Sequence, residues 1–170
     1  MFFELGLVHR LSLFLGTSNR AFAVVVGTLL VASGVGARIS ARWPPRQSLS
    51  WALAGVALVG TATIMSLPGL TGAFLGSEPA TRVIVAAAAM TPLGLALGMP
   101  FPLALRLGDE LRAPSGTLAL CFGINGFFSV LGSVATTVGA MTAGFGAVLW
   151  TGIAVYALAS ALVFSRVRPS

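Results

Sequence analysis

Residues 121–144, CFGINGFFSVLGSVATTVGAMTAG, carry no charged side chain. A run that long and that apolar is read as a helix spanning a bilayer, because only a helix or a closed barrel satisfies every backbone group away from water. At roughly 100° per residue, with Gly126 as origin, Ser129, Ser133, Thr136, Ala140 and Ala143 fall within an arc of about 100°, and Gly132 and Gly139 lie just beyond it. Phe127, Leu131, Val134, Val138 and Met141 take the opposite side. Small residues on one face let a neighbouring helix approach closely, so Gly126, Ser129, Gly132, Ser133 and Thr136 are the expected packing positions. Asn125 falls on the same side, which directs its amide at protein rather than lipid.

The rest of the chain agrees with this reading. Its 170 residues are 56% hydrophobic and 8% charged, against about 25% charged in soluble domains. Polar or proline-rich breaks divide it into apolar segments at 2–16, 21–37, 49–67, 82–105, 121–142 and 147–164. The first is short of the ~20 residues a span needs. It reads either as an interfacial helix or as the latter part of a spanning helix. The expectation is an all-α integral membrane protein with one transmembrane helical domain over 1–170. It is a polytopic bundle of five full spans plus a partial N-terminal helix.

Arginine supplies all ten basic residues. The segments 38–48, 106–116 and 165–170 hold seven of them, and the alternating segments 17–20 and 70–82 hold two. The positive-inside bias places the arginine-rich side, and with it the C-terminus, in the cytoplasm. The arginines sit at the ends of apolar runs, with no basic stripe or aromatic platform, so nucleic acid is not an expected partner.

Few residues offer chemistry. Glu4 and Arg10 are ionisable groups within an apolar segment, where a charge costs roughly 2.5–3.5 kcal/mol on insertion scales and so faces protein, pairs, or marks a pathway. They stand about 120° apart on a helix, which suits them poorly to pairing with each other. Either Arg10 snorkels and Glu4 sits near the cytoplasmic edge, or both make functional polar contacts. Asn125 reads as interhelical glue or as a ligand contact. Pro92, Pro100 and Pro102 interrupt the third span, either as a helix end or as a broken helix of the kind that lines transporter sites. Asp109 and Glu110 read as a solvated cluster. Gly34-Val35-Gly36 lacks a third glycine and a following acidic residue, so it is no nucleotide turn. One cysteine, Cys121, and one histidine, His9, make no disulfide or metal site,. No catalytic residue, metal or cofactor is expected.

Four blocks carry a resemblance. Glu4-Leu5 with His9-Arg10-Leu11-Ser12-Leu13-Phe14-Leu15-Gly16 is the first, and Leu29-Leu30 with Ser33-Gly34-Val35-Gly36 the second. Leu97-Gly98-Met99-Pro100-Phe101-Pro102-Leu103 is the third, and Ile124-Asn125-Gly126 with Ser129-Val130-Leu131-Gly132-Ser133 the fourth. In this order they resemble the C-terminal membrane region of bacterial membrane-fused spermidine synthase-like proteins. Here His9 stands where that family has Gln, and Thr17-Ser18 where it usually has His-Pro. The resemblance implies a helical region loosely like a transporter half, joined to a Rossmann-type domain similar to aminopropyltransferases and S-adenosylmethionine-dependent methyltransferases. That domain and its nucleotide motif are not in this chain. The resemblance also favours the spanning reading of residues 2–16.

The expected function is therefore a membrane module that anchors or partners a catalytic domain and is not catalytic by itself. A small transporter or half-transporter for polyamines or another organic cation is the alternative. The bilayer of a bacterial inner membrane, and either a Rossmann-type catalytic partner domain or a homo-oligomer, are the expected partners.

Overall fold

A computed structural model describes residues 2–111, 114 and 116–166, and the described residues are helical apart from short connections. The helices are α1 (Phe2–Leu15), α2 (Ser18–Ser40), α3 (Pro45–Ala73), α4 (Pro79–Gly98), α5 (Pro100–Glu110) and α6 (Thr117–Arg166). Among them, Ser18–Ser40, Pro45–Ala73, Pro79–Glu110 and Thr117–Arg166 make four stretches long and apolar enough to cross a membrane. The chain is a multi-pass helical membrane protein.

Helix α1 is the hub. Phe3, Leu7, Leu11, Phe14 and Leu15 are buried, and their spacing puts them on one stripe. The helix packs on α2, α4 and α6, so it belongs to the bundle. Small residues admit it. A Cβ on Gly6 would stand 2.7 Å from a Leu149 methyl of α6, and one on Gly60 of α3 would stand 3.1 Å from the Phe3 ring. Each glycine leaves room for a bulky side chain of the opposing helix.

Helices α2 and α4 form the tightest seam. A Cβ on Gly36 would overlap the Leu95 carbonyl, and one on Gly98 the Ser33 carbonyl; Gly94 faces the Ala32 methyl at 2.6 Å in the same sense. Here backbone meets backbone, the contact that small residues allow in a lipid environment. At the end of this seam Arg106 of α5 donates to the carbonyls of Ser40, Ala41 and Trp43 at 3.3, 2.7 and 3.0 Å. It thereby closes the C-terminus of α2, where unpaired carbonyls and the helix dipole both favour a cation. At the opposite end of the bundle Arg20 and Arg82 donate to Leu15 O (3.3 Å) and Phe14 O (3.4 Å), closing α1 in the same way. These arginines, read from the sequence only as topology markers, also cap helices.

The prolines behave in two ways. Pro92 lies inside a continuous α4 and Pro68 inside a continuous α3, so Pro92 does not break its helix, and α3 does not stop at Pro68. Each removes one N–H from its helix. The carbonyls that lose a donor are those of Ala88 and Ile64, four residues back; the hydroxyls of Thr91 and Thr71 go instead to Ala87 O (2.8 Å) and Leu67 O (3.0 Å). Pro100 and Pro102 do coincide with an interruption. The helix tightens at Met99, whose N–H reaches Ala96 at 3.3 Å, and both prolines fall in the first turn of α5, where their missing donors cost little. The expected third segment, 82–105, is thus two helices.

Helix α6 has 50 residues. At about 1.5 Å per residue a straight rod of that length would be more than twice as long as the hydrocarbon core is thick. It is not straight: Gly144 sits at φ 84°, ψ 158°, open to glycine but strained for any side chain. A Cβ on Gly139 would lie 3.2 Å from a Val148 methyl, whereas nine residues of straight helix span about 13 Å. The chain therefore folds back at Gly144 into two limbs, 117–143 and 145–166. The second runs antiparallel to α3, tied by Ser160 Oγ donating to Ser50 O at 2.9 Å. The first limb starts at Thr117 rather than at residue 121, and α2 extends the 21–37 segment to Ser18–Ser40, with Thr17 Oγ accepting from Arg20 N as N-cap,.

Candidate functional site

Glu4 is placed by α1. It lies eleven residues from the C-terminal end of α1, roughly 16 Å along the axis,. There it lines a half-open cavity of about 260 Å³, together with Phe3, Leu29, Leu30, Ser33, Leu97, Gly152, Val155 and Tyr156. Four helices contribute. Phe3 and Glu4 come from α1, Leu29, Leu30 and Ser33 from α2, Leu97 from α4, and Gly152, Val155 and Tyr156 from the second limb of α6.

Three groups give the cavity its polarity: the Glu4 carboxyl, the Tyr156 hydroxyl and the Ser33 hydroxyl. Ser33 Oγ donates to Leu30 O at 3.0 Å, which leaves its lone pairs for other partners. The rings of Phe3 and Tyr156 stand 6.2 Å apart at 40°, so an aromatic pair belongs to the same lining as the carboxyl. The remaining wall is aliphatic. α2 and α6 scarcely touch, and Leu30 (65% exposed) and Val155 (55% exposed) sit on the rim between them. The mouth therefore opens sideways, between α2 and the second limb of α6. An acidic group and an aromatic pair lining one largely aliphatic cleft are equipped to bind.

The other expected site residues lie elsewhere. Arg10 lines a separate cavity with Pro68 and Thr71 of α3, its Nη2 standing 3.5 Å from where a Cβ on Gly146 would be. Glu4 and Arg10 are not brought together, as their angular offset requires. Beside Arg10, the His9 ring stacks on Phe145 at 3.9 Å and 12°, so the His9-Arg10 dipeptide braces the chain reversal after Gly144. The sequence reading missed this use of His9.

Asn125 is exposed on the first limb of α6, which corrects its expected protein-facing placement; no described residue outside its own helix is recorded against it. Of the small face, Thr136 is fully buried, Ser129, Gly132 and Ser133 are half-buried, and Gly126 is exposed with nothing near its Cα. The expected face does turn inward along 129–140, but it stops short of close packing. A groove of about 480 Å³ separates it from Leu5, Val8 and His9 of α1. Tyr156 was also missed. It is the one tyrosine of the chain, and a lone phenol within a span was a usable sign. Among the described residues no cluster of His, Cys, Asp and Glu could hold a metal ion.

No protein-family model, curated protein or solved structure matches the chain.

Proposed function

We propose that this chain is the integral membrane module of a spermidine synthase-like protein, anchoring or partnering a Rossmann-type catalytic domain that the chain itself does not contain. One observation supports the reading above the others. Glu4 from the first resemblance block, Leu29, Leu30 and Ser33 from the second, and Leu97 from the third line the same cavity. Blocks of sequence separated by tens of residues converge on one place, as expected if a shared pattern serves a shared site. The fourth block, around Asn125, stays outside it.

In this reading both limbs of α6 cross the bilayer, giving five full spans, and the arginine-rich side with the C-terminus lies in the cytoplasm of a bacterial inner membrane. A catalytic partner would then dock on the side carrying Arg38, Arg42 and Arg106. Sequencing the DNA that flanks the coding region is the decisive experiment. A neighbouring reading frame for a Rossmann-type domain that co-purifies with this chain is the expected result. Absence of such a sequence in every frame would count against the proposal.

A further inference from the structure

We infer that the Glu4 cavity is a binding site for an amphiphilic organic cation, an alkylammonium that enters sideways from the bilayer. The inference stands apart from the catalytic-partner reading, since it depends only on the cavity. Three features define the ligand. The polar end of the site is the Glu4 carboxyl, in a lining that also holds the Phe3 and Tyr156 rings, 6.2 Å apart. Carboxylate and aromatic faces together recognise an ammonium through charge and cation–π attraction. The neutral hydroxyls of Ser33 and Tyr156 add acceptors for its N–H groups.

The second feature is the wall. Beyond the carboxyl the cavity is bounded by Leu29, Leu30 and Val155, which offer no partner to a second charge. The ligand's remainder is therefore apolar. The third is the mouth. Because α2 and the second limb of α6 scarcely touch, the opening lies between Leu30 and Val155, at a depth where a hydrocarbon tail lies naturally. A volume of about 260 Å³ is at the small end for ligand pockets. It houses the head group and the first carbons, and the tail runs out through the mouth.

Octylammonium is the probe and octanol its uncharged counterpart. Equilibrium dialysis would measure radiolabelled probe retained by the full chain in phosphatidylcholine nanodiscs, with empty nanodiscs subtracted. Saturable retention of octylammonium, but not of octanol, is expected. Glu4→Gln, which keeps shape and removes charge, is expected to weaken it at least tenfold, and Tyr156→Phe a few-fold. Leu30→Trp places bulk at the exposed mouth without entering the core, so it tests the site even if Glu4→Gln fails to fold; it is expected to abolish retention. Equal retention of octanol and octylammonium would overturn the inference. So would no saturable retention, undiminished retention by a folded Glu4→Gln, or undiminished retention by Leu30→Trp.

Discussion

The α2–α4 seam and the first limb of α6 carry the same sequence signature with opposite outcomes. Both are apolar helices with glycine, serine and alanine at helical spacing. In the seam, Gly36 and Gly98 leave no room for another carbon because the neighbouring backbone already occupies the space, and Gly94 because the Ala32 methyl does. On the limb, Gly123 and Gly126 have nothing within 4 Å, and only Thr136 is buried. A small-residue face permits close approach without supplying the partner. In lipid no hydrophobic difference distinguishes one apolar neighbour from another, so connectivity decides. α2 and α4 are both held against the buried hub α1, and their ends are fastened by Arg106, Arg20 and Arg82. The limb is attached through the Gly144 reversal, the edge contact of Phe101 with Phe122 at 5.2 Å, and the groove along α1.

This contrast can be broken by matched substitutions. Gly98→Val should have the largest effect, because its side chain would collide with the Ser33 backbone rather than with a movable side chain. A loss of about 3 kcal/mol is expected, at the upper end for overpacking. It is read from the midpoint of SDS-induced unfolding in mixed micelles followed by far-UV circular dichroism. A midpoint equal to wild type would mean that the seam is looser than described. Next comes Gly144→Ala. The added Cβ meets no neighbour, so the penalty is conformational, about 2 kcal/mol for holding a side chain at that φ/ψ. Cysteine pairs at 139 and 148 would report whether the reversal survives. Efficient cross-linking that falls in the Gly144→Ala background is the expected result. Gly126→Val should have the smallest effect, within about 0.5 kcal/mol. A large loss in the same SDS assay would reveal that another helix covers this face in the membrane.

Much of the architecture was legible in the chain. Hydropathy marks the helices, and Pro44-Pro45, Gly76 to Pro79 and Pro100 to Pro102 lie at or near their ends. The offset of Glu4 from Arg10 correctly separated their destinations. Pro92, and the 49–67 boundary at Pro68, misled because a membrane helix can carry a proline without ending, which a local pattern does not reveal. The candidate site was half legible. Glu4 stood out as an ionisable group in an apolar segment, yet its companions Ser33, Leu97 and Tyr156 are distant in sequence. Nothing local says that they share a cavity. Asn125 looked equally promising and lies exposed, because a polar residue on a small face points inward only where that face meets another helix.

What the sequence alone determined is the class of molecule: apolar helices for a bilayer, their approximate ends, and which faces are smooth. Each of these is a property of a single helix and its solvent, so it is written in consecutive residues. Only the tertiary structure decided that α1 is the buried hub, that α2 pairs with α4, that three arginines close helix ends, and that Glu4 faces an open cleft between α2 and α6. Those outcomes depend on shape matching between surfaces far apart in the chain, among partners that lipid leaves equally apolar.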